Sequence, residues 1–116
     1  MRDRELAVPQ LELIAARFRV LGEPSRLRLL QVLRAGERSV TELCAATQLT
    51  QANVSKHLQL LFAAGYVARR REGLTTRYAL ADADVLQLCE VMCGRLEREL
   101  LERQAALGTA PAPRRR

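Results

Sequence analysis

Tryptophan is absent from this chain of 116 residues, isoleucine and histidine occur once each, and the aromatic residues number four: Phe18, Phe62, Tyr66 and Tyr78. Strands are usually rich in β-branched and aromatic side chains, so this shortage weighs against a large sheet. Leucine and alanine together fill 38 positions, and both lose little freedom in a helix. Long hydrophobic runs are missing too. The longest, Leu60 to Ala68, contains Gly65 and ends in three arginines, far short of the 18 or so residues that suggest a membrane span. The opening stretch, MRDRELAVPQ, carries acidic residues and no hydrophobic core, so no secretory signal is expected, and the expected location is the cytoplasm. An odd set of three cysteines, Cys44, Cys89 and Cys93, argues against a disulfide framework and for reduced thiols that pack, bind or sense. Catalysis is not expected. There is no phosphate-binding glycine loop and no acid/base pair at a useful spacing, and Cys44 with His57 is the only conceivable nucleophile and base.

What is present is positive charge. The formal net charge is +6 and the isoelectric point about 10.2, which points towards polyanionic partners. The surplus is uneven. Residues 50–80 carry Lys56, Arg69, Arg70, Arg71 and Arg77 against Glu72 alone, whereas residues 81–94 carry Asp82, Asp84 and Glu90 with no basic residue. A composition that is 48% hydrophobic and 28% charged is that of an ordinary globular domain with one modest core.

Punctuation divides the chain. Leu11, Ile14, Ala15, Phe18 and Leu21 recur at helical spacing from about Val8 until Gly22. Pro24 suits the first turn of a second helix carrying Leu27, Leu30 and Leu33, which ends before Gly36. Ser39 or Thr41 can start a short third helix to about Thr47, and Thr50 suits the N-cap of a fourth, Gln51 to Ala64, terminated by Gly65. The three residues between them, Gln48 to Thr50, are the connection length of a helix-turn-helix. Tyr66 to Arg71 and Thr75 to Leu80 read as a β-hairpin turning through Glu72, Gly73 and Leu74. A last helix runs from an Asp82 cap to about Leu107. Its apolar seam, Leu86, Cys89, Cys93, Leu96, Leu100 and Leu107, wants a partner helix, and in a chain this small that partner is the same helix of a second subunit.

The fold class expected is therefore mainly α with a small β-hairpin: a winged helix-turn-helix, homodimeric through its terminal helix. One domain is expected over 1–107, with the helix-turn-helix at 39–64, the wing at 66–80 and the dimerisation helix at 82–107, followed by a basic flexible tail at 108–116. The fourth helix puts Val54, Leu58, Leu61 and Phe62 on one face for the core. Leu60 is a misfit on the polar side, a place that packing beneath the hairpin would explain. Ala52, Asn53, Lys56 and Gln59 lie on the opposite arc, flanked by Gln51 and Ser55. Amides suit adenine edges, alanine a thymine methyl, and lysine guanine or phosphate. Residues near the helix N-terminus enter a major groove first, which favours Gln51, Asn53, Ser55 and Lys56. In the hairpin, Arg69 and Arg71 share one face and Arg70 the other. Arg71 and Arg77, nearest the tip, are expected on phosphates or in the minor groove, with Arg69 or Arg70 assisting.

The ordered set LGEPSRLRLLQVL followed by SVTELCAATQLTQANVSKHLQLLFAAGYVARRREGLTTRYAL resembles the ArsR/SmtB family of bacterial repressors over about Leu21 to Asp84. The resemblance implies a dimeric repressor on double-stranded operator DNA, an inverted repeat, with release by a metal, a metalloid or a thiol oxidant. It also places His57 within the recognition helix, for packing or a phosphate contact. The familiar metal sites are not carried over intact. ELCAAT lacks the second cysteine of the third-helix site, and Asp82 and Asp84 are followed by Arg95 and Arg98 where the terminal-helix zinc site has histidine and glutamate. What remains is Cys89 with Cys93, one helical turn apart on the seam. They suit a thiophilic metal or metalloid such as trivalent arsenic or antimony, or oxidation or persulfidation, or simple packing as small apolar knobs. Cys44 continues an apolar face and is expected in the core. A repressor without cysteine sensing, or a dimeric protein-interaction module on the same fold, are the alternative functions.

Overall fold

Caps and turns divide the chain into five helices and three short strands among residues 5–108, the part described by the computed structural model. α1 (Val8–Leu21) stops at Gly22, and α2 (Pro24–Leu33) begins on proline with Glu23 as its cap, the carboxylate accepting from the Arg26 amide at 3.0 Å. β1 (Arg38–Ser39) leads directly into α3 (Val40–Thr47). Ser39 is the start that is used. Its hydroxyl accepts from the Glu42 amide at 3.2 Å while the Glu42 carboxylate accepts from the Ser39 amide at 2.9 Å, a capping box.

The turn after α3 is tight because Gln48 adopts a left-handed backbone, φ 64°, with its amide donating to the Cys44 carbonyl at 2.8 Å. Thr47, fully buried, satisfies itself there: its hydroxyl donates to the Leu43 carbonyl at 2.7 Å and accepts from the Leu49 amide at 3.3 Å. Thr50 then caps α4 (Gln51–Ala63), accepting from the Asn53 amide at 3.2 Å. The far end of α4 closes as a Schellman motif. Gly65, φ +84°, donates to the Phe62 carbonyl at 3.0 Å, and Tyr66 donates to the Leu61 carbonyl at 2.9 Å.

β2 (Val67–Glu72) and β3 (Thr75–Leu80) form the expected hairpin, in which Arg70 faces Arg77 and Arg71 faces Thr76. The sheet has a third member. β1 pairs antiparallel with the other edge of β3, Arg38 opposite Tyr78 and Ser39 opposite Arg77, giving the order β1-β3-β2. Two residues are too few to show strand periodicity, which is why the sequence discloses only the hairpin. Their pairing supports a hairpin that would be marginal on its own.

The core draws Leu29, Leu30 and Leu33 from α2, Leu43 from α3, Val54, Leu58 and Leu61 from α4, and Val67 and Tyr78 from the sheet. Each buried leucine contributes roughly 1.5–3 kcal/mol by leaving water. Three expected core or covered positions lie further out. Leu27 is exposed, Phe62 is 38% exposed, and Leu60, expected beneath the hairpin, is 42% exposed. The buried arc of α4 is centred on Val54, His57, Leu58 and Leu61, so positions 60 and 62 fall on its two shoulders. Along α1 only Leu21 is buried, leaving Leu11, Ile14 and Phe18 exposed.

The domain expected over 1–107 divides into two compact units at Asp84, where α5 (Asp84–Ala106) begins. The helix starts two residues after the Asp82 cap expected, and its 23 residues span roughly 34 Å. Leu88, Val91, Met92, Leu96 and Leu100 are exposed along it. The basic tail expected over 108–116 lies, beyond Gly108, outside the described residues. No helix among the described residues is long and apolar enough to cross a membrane.

His57 fastens α4 to α2. It is only 8% exposed, and its Nδ1 lies 3.1 Å from Nη1 of Arg26. A guanidinium can only donate, so Nδ1 accepts and the neutral ring carries its proton on Nε2. Arg26 is itself held by Nε donating to the Val20 carbonyl at 2.6 Å. Burial pushes the His57 pKa below a histidine's ordinary value; Glu23 opposes this, and the cations Arg26 and Lys56 reinforce it. The unfolded chain therefore takes up a proton near pH 6.5 that the folded chain resists. This contribution to stability is intact above about pH 6.5 and is lost as the pH falls through the depressed folded value. The melting temperature is expected to fall between pH 7 and pH 5, more steeply in the wild type than in His57→Gln. Parallel curves for the two proteins in thermal melts would contradict this.

Candidate nucleic-acid interface

Because Val54, His57, Leu58 and Leu61 face inward, α4 turns its other arc to solvent. Gln51, Ala52, Asn53, Lys56 and Gln59 are exposed and Ser55 is half-buried. The six residues singled out by sequence thus occupy one continuous outward surface. The first turn contains no acidic side chain, so the partial positive charge of the helix N-terminus is uncompensated there and favours an approaching anion.

The wing sorts its arginines by strand face. Arg70 meets Glu37 through two hydrogen bonds, Nε to Oε2 and Nη2 to Oε1, both 2.8 Å. Arg77, opposite Arg70 in the register, reaches Glu37 at 3.3 Å and Glu42 at 3.2 Å, and Glu72 stands 3.7 Å from Arg70 and 3.8 Å from Arg77. Two like charges opposite each other on a sheet would repel, and the carboxylates between them reverse that sign. The Arg70 hydrogen bonds hold the Glu37 carboxyl below the usual carboxylate range and raise Arg70 in return. Glu42 is held down first by the Ser39 amide and then by Arg77. Pairs this exposed each add little stability, but together they tie both strands of the wing to the segment that leads into α3.

Arg69 takes a different part. Its guanidinium lies over the Phe62 ring, 4.0 Å from the centroid, joining the base of the wing to the end of α4. Arg71 is exposed and has no ion pair among the described residues. Of the two arginines favoured near the tip, Arg71 stays open to a partner while Arg77 sits in the carboxylate cluster. Sequence reasoning passed over Glu37 and Arg26, which lie 33 and 31 residues from their partners Arg70 and His57. No local pattern marks such pairs.

On α5, Cys89 is half-buried and Cys93 exposed, with the Cys93 thiol 3.9 Å from a Glu97 carboxylate oxygen. Cys44, expected in the core, is half-buried. Among the described residues no group of three or more histidine, cysteine, aspartate or glutamate side chains is placed to hold a metal.

The family model for bacterial regulatory proteins of the arsR family matches residues 23–69, from the cap of α2 into β2. An HTH-type transcriptional regulator of Mycobacterium tuberculosis is 38% identical over 100 residues, 85% of this chain and 88% of that one. Its crystal structure superposes with a TM-score of 0.75 at 37% identity, covering 84% of this chain and 98% of the other. A relative from Streptomyces lividans, described as a probable mercury resistance operon repressor, is 42% identical over 71 residues, 61% of this chain but only 57% of its own length. A homodimeric winged helix-turn-helix DNA-binding domain from Mycobacterium bovis, solved by NMR, superposes with a TM-score of 0.72 at 30% identity, covering 86% of this chain and 94% of that domain. Element order, the capped turn before an outward polar helix, the basic hairpin behind it and these matches agree: the chain is a winged helix-turn-helix protein of the arsR family of bacterial regulatory proteins.

Proposed function

We propose that the protein is a homodimeric repressor, acting in the cytoplasm, that reads an inverted-repeat operator with α4. The observation that carries this reading is the outward arc of α4, where Gln51, Ala52, Asn53, Lys56 and Gln59 stand exposed on a helix whose opposite side is locked into the core. Amide, methyl and ammonium groups are the kinds that distinguish base edges in a major groove. Arg71, with Arg69 and the Arg70–Arg77 pair behind it, supplies phosphate or minor-groove contacts that position the protein. Two subunits related by a two-fold axis would present their reading helices to half-sites about one helical turn apart. Exposed apolar side chains on α1 (Leu11, Ile14, Phe18) and on α5 (Leu96, Leu100) support self-association, as does the homodimeric state of the Mycobacterium bovis domain.

Release by a thiophilic metal or metalloid, trivalent arsenic or antimony among them, is supported by Cys89 and Cys93 one turn apart on α5 and by the similarity to the Streptomyces lividans mercury resistance repressor. Two thiols from one chain leave trivalent arsenic or antimony one ligand short of three, and a side chain of the second subunit would complete the set.

Fluorescence anisotropy with the DNA upstream of the gene, across a salt series, tests the reading of DNA. Asn53→Ala and Lys56→Ala are expected to weaken the specific complex by about 5- to 100-fold and to narrow the gap to unrelated DNA. Arg71→Ala is expected to weaken both complexes alike and to reduce the salt slope by about 0.9, the share of a single neutralised phosphate. Affinity that ignores sequence and survives both α4 substitutions would sink the proposal. For the signal, arsenite, antimonite or a mercuric salt is expected to dissociate the wild-type complex and leave the Cys89→Ser/Cys93→Ser complex intact. Dissociation by peroxide or polysulfide alone would assign the pair to thiol oxidation, and dissociation by none would leave both cysteines as packing residues.

A further inference from the structure

Leu74 is 96% exposed, the most exposed of the large hydrophobic side chains among the described residues. It stands at the tip of the wing, in a two-residue loop closed by the Glu72–Thr75 pair. Gly73 takes the first loop position at φ +64°, where a type II′ hairpin turn calls for glycine. The second position makes no such demand, and nothing in the fold covers a leucine placed there.

We propose that Leu74 is an apolar wedge that the wing tip inserts into the minor groove beside the major groove read by α4, opening a base step and favouring operators that kink there. The proposal rests on the DNA-reading function above. Three features select duplex DNA over a protein surface or a second copy of the chain. The charge around the tip is one-sided: Arg71 precedes the turn without an ion pair among the described residues, while the Glu72 carboxylate faces Arg70 and Arg77 at 3.7 and 3.8 Å. An apolar point backed by an open guanidinium suits the minor groove, whose negative potential attracts arginine and whose steps admit leucine wedges. The mounting is also stiff. Glu37 bonds both strands of the hairpin, and Arg69 on the Phe62 ring ties its base to α4, so the tip keeps a set place relative to the reading helix. Finally, the wing is joined to the reading helix itself, since β2 follows the end of α4 through Gly65 and Tyr66.

A wedge is inserted most easily at flexible pyrimidine–purine steps, TA and CA/TG, so Leu74 would confer preference at a position where no hydrogen bond reads the base. The test begins with duplexes selected by the full-length protein from a random library, followed by anisotropy for affinity and end-to-end energy transfer for bending. Leu74→Ser is expected to keep the wild-type melting temperature, to bind the selected duplex about 5- to 10-fold more weakly, to bend it less, and to lose preference for a flexible step beneath the wing. Leu74→Met, an apolar side chain of similar reach, is expected to retain all three properties. Leu74→Ser that binds and bends as the wild type does would overturn the wedge, as would weaker binding with bend and step preference unchanged. If the wild type does not distinguish its selected duplex from a scrambled one and Asn53→Ala changes nothing, the DNA-reading function falls with it. If α4-dependent discrimination persists while Leu74 is silent, the wedge alone is overturned.

Discussion

Val54, Leu58 and Leu61 are withdrawn from water against the leucines of α2 and α3, and their burial sets the rotation of α4 about its own axis. A quarter turn one way would carry Asn53 into the core, a quarter turn the other way Gln51 and Ser55, and either would put leucine on the surface. Side-chain direction on a helix is not adjustable residue by residue, so three buried apolar side chains decide the orientation of the six side chains on the outward arc. His57 adds a directional element to this non-directional burial. Its acceptor nitrogen meets a guanidinium that is bonded to a backbone carbonyl, so sliding α4 along α2 would break a hydrogen bond as well as separate methyl groups.

The wing is placed by more than one force. Only Val67 and Tyr78 of its strands are buried, and charge adds to their burial and to the pairing with β1: Glu37 lies between Arg70 and Arg77, with Glu42 and Glu72 beside them. Each pair is weak in solvent, but the set links β2, β3 and the start of α3 at one point. The formal charge of this region overstates the field that a partner meets, since two of its five cations stand against carboxylates of the same chain. The result is a division of labour along β2, in which successive arginines bind a ring, bind a carboxylate and stay open.

Much of this was legible in the sequence wherever the determining chemistry is local. Thr50 and Gly65 bracket α4 because a cap needs a hydroxyl at one end and a left-handed backbone at the other, and both needs are met within a few residues. The outward arc followed from the positions of Val54, Leu58 and Leu61. Legibility failed at contacts between distant segments and at the shoulders of helices. Periodicity assigned Phe62 to the core and could not foresee an arginine laid over its ring. It marked Leu11, Ile14 and Phe18 as a face without saying whether the same chain covers it. β1 is too short for any periodic signal, and Glu37 is an unremarkable surface residue until the hairpin arrives beside it. The exposed Leu74 was written in the sequence, as an apolar residue inside a turn, but turn reasoning attends to the glycine.

Tyr66 has a consequence that follows from where its bonds go. Its amide closes α4 on the Leu61 carbonyl, its hydroxyl donates to the Arg17 carbonyl near the end of α1 at 3.2 Å, and its own carbonyl accepts from the Ala81 amide at 3.0 Å. One residue is thus a mechanical joint among three stretches of chain, placed where α4 hands over to the wing. Tension on α1 or on the segment leaving β3 arrives as a pull on the last turn of α4, at the opposite end from Gln51 and Asn53.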